Sequence, residues 1–204
     1  MKRILALSII ALFTVQTTSS AQIENIKLAG RHTIFIESGF KTTSKTTSTT
    51  ANGTVEATTG FIGSFNYGYW FDEEWALNFS GGIFGAEANV KFNNVSANAI
   101  MPILFGVRYY PVKLALGSVG RFYTGLALGQ YIGSAAKTSG LVTQTISESV
   151  FGGQVSIGCD LFVASWFKFG PKLSYYLLSD FKEIIGAEKN LSGAGFSIDF
   201  GFVL

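Results

Sequence analysis

One cysteine, one histidine, three prolines and few charges are spread over 204 residues. Each scarcity excludes something. With Cys159 alone, no internal disulfide can form. One Cys and one His cannot supply a zinc site by themselves, so no metal and no cofactor is expected. Charged residues make up 14% of the chain, whereas an ordinary soluble domain carries roughly a quarter. Part of this surface therefore faces something other than water. The formal charge is +2, and Lys2 and Arg3 account for both units. That leaves no acidic or basic excess to attract nucleic acid.

What the chain does have begins with its N-terminus. Lys2-Arg3 is a basic start, Ile4 to Val15 is an apolar run too short for a spanning helix, and Ser19-Ser20-Ala21 offers small residues for cleavage. Residues 1–21 read as a signal peptide, cleaved before Gln22, and 22–204 as one domain. No later stretch reaches the length of a transmembrane helix. Phe at 19 and Gly at 24 are both abundant, and they follow a rule of alternation.

Successive side chains on a strand point to opposite faces, and period-two runs recur at about 31–40, 60–71, 75–85, 97–110, 120–133, 148–162, 166–178 and 193–204. Eight strands are expected. The connections 41–59, 86–96, 134–147 and 179–192 are long, 72–74 and 163–165 are short, and 111–119 is intermediate. One end of the sheet thus carries tight turns and both termini, and the other carries loops. KTTSKTTSTTANGT, in the first loop, is too poor in apolar residues to pack a core and is expected to be mobile.

Phe61, Phe65, Tyr67, Tyr69 and Phe71 share one face of the second strand, opposite Ser64, Asn66 and Gly68. The last strand sets Phe196, Ile198, Phe200 and Phe202 against Ser197, Asp199 and Gly201. A soluble barrel would turn the bulky face inward and show water a face rich in Lys, Glu and Thr. Here the polar face is mostly Gly, Ala, Ser and Asn, which suits a packed lumen. The reading is an all-β, eight-stranded antiparallel up-and-down transmembrane barrel, whose closure satisfies every backbone group in lipid. A strand of about 10 residues tilted near 45° crosses about 23 Å, close to the apolar band of an outer membrane. Tyr67, Tyr69, Phe71, Trp75, Tyr109 and Trp166 flank the tight turns and would form an interfacial aromatic girdle, although strict parity turns Trp166 inward.

These alternating strands, with GYWFDEEWALNF, ILFGVRYYP and FGGQVSIGCDLFVASWFKFGPKLSYY, resemble the small outer-membrane β-barrels, the superfamily of opacity-type barrels and outer membrane protein A transmembrane domains. The resemblance spans the mature chain and is one of pattern. It implies a Gram-negative-type outer membrane, periplasmic termini, hence a periplasmic girdle, and long loops outside. The chain departs from it by ending Phe202-Val203-Leu204 without a final aromatic. Pro102 and Pro171 fall inside strands, where a missing N–H calls for a bulge or strand end nearby.

By parity Glu37, Arg108, Asp160, Lys168, Lys172 and Asp199 all face the lumen. A Lys or Arg turned to mid-membrane lipid would cost about 2–4 kcal/mol, so the lumen is where they belong. Asp160, Lys168 and Arg108 should cluster near the turn end, with Glu37, Lys172 and Asp199 nearer the middle. Paired, they plug the lumen; unpaired, they would line an ion path. His32 lies at the turn end, with no Ser or acid positioned for a triad, so no catalytic residue is assigned. The function expected is a non-enzymatic one, structural or interactive, exercised through the outer loops. A narrow porin-like channel is the alternative, and a lipid-modifying enzyme comes third. Expected partners are outer-membrane lipid and a ligand or surface met by the loops; the barrel is expected to be a monomer.

Overall fold

The computed structural model describes residues 27–47, 54–91, 94–117, 119–139, 142–185 and 189–204. The segment read as a signal peptide lies outside them. The strands are β1 His32–Thr47, β2 Thr54–Trp70, β3 Trp75–Lys91, β4 Asn94–Tyr109, β5 Gly120–Ser139, β6 Val142–Ala164, β7 Phe167–Leu178 and β8 Gly193–Val203. Each pairs antiparallel with its neighbours in sequence, and β1 pairs with β8, closing one barrel. No helix among the described residues is long and apolar enough to cross a membrane; the connection from β4 to β5 holds a single 3-10 turn, Val112–Leu114.

Alternation builds this wall directly. In β8 burial switches at every residue from Gly193 to Val203, because the small or polar residues point into the lumen and the phenylalanines point out. The same holds around the circumference: Phe40 is 62% exposed, Phe105 59% and Phe151 60%. A soluble monomer rarely exposes contiguous apolar area beyond a few hundred Å². This outer wall is apolar on every strand, which is what a lipid-facing band requires.

Three expected loops prove shorter than the sequence indicates. Pairing continues to Thr47↔Thr54 between β1 and β2, to Lys91↔Asn94 between β3 and β4, and to Ser139↔Val142 between β5 and β6. Most of 41–59, 86–96 and 134–147 is therefore extended hairpin, because Thr-rich and polar residues sit well in a two-sided, solvated ribbon. Of the stretch expected to be mobile, 41–47 and Thr54 are paired strand, and 48–53 lie outside the described residues. Of the fourth long connection, the described residues 179–185 and 189–192 are outside any strand, and part of them folds onto the barrel.

Both prolines leave a mark in the ladder. Between β3 and β4 the register shifts after Phe84↔Ile100, two residues from Pro102, and Gly85 takes φ 61 there. Glycine alone adopts that conformation without strain. Between β6 and β7 the pairing runs Gly158↔Lys172 and then Leu161↔Phe169, passing over Pro171, which pairs Ile198 of β8 on its other side.

Candidate functional site

The lumen is built in layers, counted from the turn end. The first is aromatic: Trp70 and Tyr110 rings lie 4.1 Å apart and Tyr110 and Tyr123 5.2 Å apart, packed with Leu28, Phe162 and Val203. Phe71–Glu74 closes the β2–β3 turn beside it, where Glu73 accepts the N–H groups of Leu28 and Ala29 and meets Arg121 at 3.4 Å.

Charge comes next. Arg108 Nη2 on β4 reaches Asp199 Oδ2 on β8 at 3.2 Å, and Lys168 Nζ on β7 reaches Asp160 Oδ2 on β6 at 2.5 Å. Tyr110 donates its hydroxyl to the same Asp160 oxygen at 2.9 Å. The Arg108 guanidinium lies over the Phe35 and Tyr123 rings, 4.6 and 4.5 Å from their centroids. A cation over an aromatic face keeps an attractive partner where water is scarce.

Above these, Lys172 Nζ on β7 meets Glu37 Oε2 on β1 at 2.8 Å. Glu37 also accepts from Ser64 at 3.0 Å and Ser197 at 2.7 Å, so its lone pairs are satisfied by groups on both neighbouring strands. Asn66 donates to Ser64, and Gln154 to Ser174. All six charges expected in the lumen are buried there. Their grouping differs from expectation in one respect: Asp199 pairs with Arg108, not with Lys172. Parity tells which face a side chain takes, whereas its partner depends on how far opposite walls are staggered.

The loop end is closed by a second apolar layer. Phe84 lies 5.7 Å from Tyr131 and 5.3 Å from Tyr176 between ring centroids, among Ile62, Ile100, Leu104 and Val150. Phe181 and Ile185, from the segment between β7 and β8, are buried in this layer. That segment is held down where Glu148 accepts the N–H groups of Lys182 and Glu183 at 2.9 and 3.1 Å. Lys41, which the sequence reading placed in a loop, is buried in the lumen, its Nζ 4.7 Å from the Phe84 centroid and donating to the Leu191 carbonyl. Its spacing of four from Glu37 on one strand face was the signal, hidden once the strand was ended at residue 40.

The space between the layers is small. One cavity touching Glu37, Ser64, Ser80 and Gln154 and another touching Asn78, Arg108, Ser156 and Lys172 measure about 10 Å³ each, room for one water apiece. Asp160 Oδ1, Asp199 Oδ1, Arg108 Nη1 and Tyr123 Oη have no hydrogen-bond partner within the protein.

The remaining sequence-selected residues lie outside the barrel or on its rim. The Trp75 and Tyr109 rings pack at a tilt, centroids 4.7 Å apart, with Tyr67, Tyr69 and Phe71 on the same outer rim. Trp166 points outward too, 5.9 Å from Phe202 and nearly parallel to it. The register shift between Phe162 and Ala164 and the turn at Ser165-Trp166 release it from the inward parity of β7. His32 is exposed on the outer wall, its Nδ1 hydrogen-bonded to the Tyr67 hydroxyl at 2.6 Å. Among the described residues no group of three His, Cys, Asp or Glu could hold a metal.

This closed, all-antiparallel architecture is the fold of the small eight-stranded outer-membrane β-barrels. No family model matches the chain, and no curated protein sequence matches it. Solved structures do. Ail, the attachment invasion locus protein of Yersinia pestis, superposes with a TM-score of 0.55 at 13% identity over 86% of this chain and 99% of that one; with the heparin analogue sucrose octasulfate bound to Ail the TM-score is 0.57. OprG of Pseudomonas aeruginosa gives 0.53 at 13% identity over 87% and 97%. Neisserial surface protein A gives 0.53 at 12% identity over 86% and 97%.

Proposed function

We propose that this chain, after loss of residues 1–21, is a non-enzymatic barrel of a Gram-negative-type outer membrane whose work is done by its outer hairpins and loops. The observation that carries the reading is the filled lumen. Between two aromatic layers Arg108–Asp199 spans it from wall to wall, Lys172–Glu37 links β7 to β1 and Lys168–Asp160 links β7 to β6, so the interior offers a ligand little space. The hairpins reach beyond it. A strand of about 10 residues suffices to cross lipid, whereas β5 has 20 residues and β6 has 23, leaving a ribbon that projects well beyond the apolar band. Binding at loops on a rigid scaffold is the common arrangement. A surface-interaction role is also supported by Ail, the attachment invasion locus protein, which was solved in complex with a heparin analogue.

A narrow channel is the second reading, favoured by the polar waist of Ser64, Asn66, Gln154, Ser156, Ser174 and Ser197 between the apolar layers. A lipid-modifying enzyme is third, and His32 on the outer wall at the turn end gives it little support. The test is a strain lacking the protein, complemented with the full chain or with a variant whose β1–β2 and β5–β6 hairpins are cut to tight turns at membrane level. The trimmed barrel is expected to assemble, yet fail to restore adhesion or envelope phenotypes. Full restoration by the trimmed barrel, together with a solute-uptake defect in the deletion strain, would favour the channel.

A further inference from the structure

The geometry points to a second site, on the outer wall: we propose that one acyl chain of a phospholipid, from the leaflet at the short-turn end, lies in a groove across β5, β6 and β7 with its phosphate at Lys113. The site rests on the membrane reading above. The groove measures about 560 Å³, and its lining includes Leu114, Phe122, Thr124, Cys159, Pro171 and Leu173. Its origin is local. Elsewhere the outward positions are mostly large, but here Thr124, Cys159 and Pro171 put three small side chains on three neighbouring strands, with Phe122, Ile157 and Leu173 rising around them. The ladder between β6 and β7 passes over Pro171 at the same place.

A second observation points to what fills it. The 3-10 turn Val112–Leu114 overhangs the groove through Pro111 and Leu114. None of its residues is buried, and Val112, Leu114 and Leu116 are all about half exposed or more. Three bare aliphatic side chains on a short connection are costly in water and favourable at a lipid interface. Between two of them stands Lys113, exposed. Glu74 is nearby, but it is committed to the turn's backbone, accepting the Val112 N–H at 3.2 Å. Tyr109, packed against Trp75, borders the groove and sits where amphipathic rings mark headgroup level. An apolar trough under a turn that carries an exposed lysine, whose long stem lets its ammonium snorkel toward headgroups, matches an amphiphile with a long chain and a phosphate.

The test uses the full mature protein inserted into phosphatidylethanolamine vesicles doped with a phosphatidylethanolamine carrying a diazirine on one acyl chain. After photolysis, peptide mapping is expected to find label on Leu114, Phe122, Cys159 and Leu173 several-fold above Phe79, Phe105 and Leu126, which face lipid elsewhere on the wall. Thr124→Trp, which fills the trough, should reduce groove labelling to the level of the rest of the wall. Lys113→Gln, an exposed change on a turn, should reduce it while Lys113→Arg retains it. Even labelling around an inserted, heat-modifiable barrel would overturn the site and leave the membrane reading intact, as would labelling indifferent to both Thr124→Trp and Lys113→Gln. Crosslinks from the groove to a second copy would replace the lipid by a dimer contact. Failure of the protein to insert would remove both the site and the reading beneath it.

Discussion

Arg108 and Asp199 stand on β4 and β8, strands halfway around the barrel from each other, and their side chains meet at 3.2 Å across its full width. This pair ties opposite walls together, while the Phe35 and Tyr123 rings flank the guanidinium. Arg108→Met leaves Asp199 buried and unpaired, and is expected to destabilise the barrel by about 3–5 kcal/mol. Urea unfolding in vesicles measures it. Adding Asp199→Leu should recover most of the loss, because replacing a whole buried pair by apolar groups is often neutral.

Closure of the lumen predicts silence in planar bilayers. The wild-type protein should give no stable conductance, because an eight-stranded interior is only wide enough for side chains to fill. Lys172→Met should remain non-conducting and lose about 3–5 kcal/mol of stability, since Glu37 is then left without its cation. Reproducible single-channel steps from the wild-type, with ion selectivity changed by that substitution, would replace the plug with a pore.

The outer wall separates lipid from water as its solvent. Leu126 is 52% exposed on β5, midway along the apolar band. In a bilayer Leu126→Arg should cost about 2–4 kcal/mol. In a soluble barrel the same change would be close to neutral or would improve solubility, so equilibrium unfolding of this one variant in vesicles tests the class.

Topology can be read on whole cells. The protein should fractionate with the outer membrane and migrate faster or slower unboiled than boiled on a denaturing gel. An epitope placed near Asn52, between the strand ends Thr47 and Thr54, should be labelled on intact cells. Labelling only after the outer membrane is permeabilised would invert the orientation, and release by osmotic shock would end the barrel reading.

Period two is a local property, and it carried most of the fold. Which of two faces a strand residue takes depends on its own backbone, so Glu37, Lys172 and Asp199 could be placed inside, and Phe79 and Phe200 outside, from the chain alone. The ends of the strands were less legible. The stretch after Phe40 has no apolar alternation, and only pairing with β2 shows that it stays extended to Thr47. Lys41 was missed for that reason.

What the sequence by itself determined, then, is the number of strands, their sense of alternation and hence which solvent each face requires. Only the tertiary structure decided who meets whom. Asp199 goes to Arg108 because barrel closure and stagger bring β8 opposite β4, a relation between residues 91 apart that no local pattern encodes. Trp166 turns outward because a register shift between Phe162 and Ala164 breaks the count that would have turned it in. Phe181 and Ile185 leave a loop to plug the barrel's mouth because Glu148, on another strand, accepts the backbone beside them. Faces are set residue by residue, but partners across a closed sheet are set by the geometry of all its strands at once.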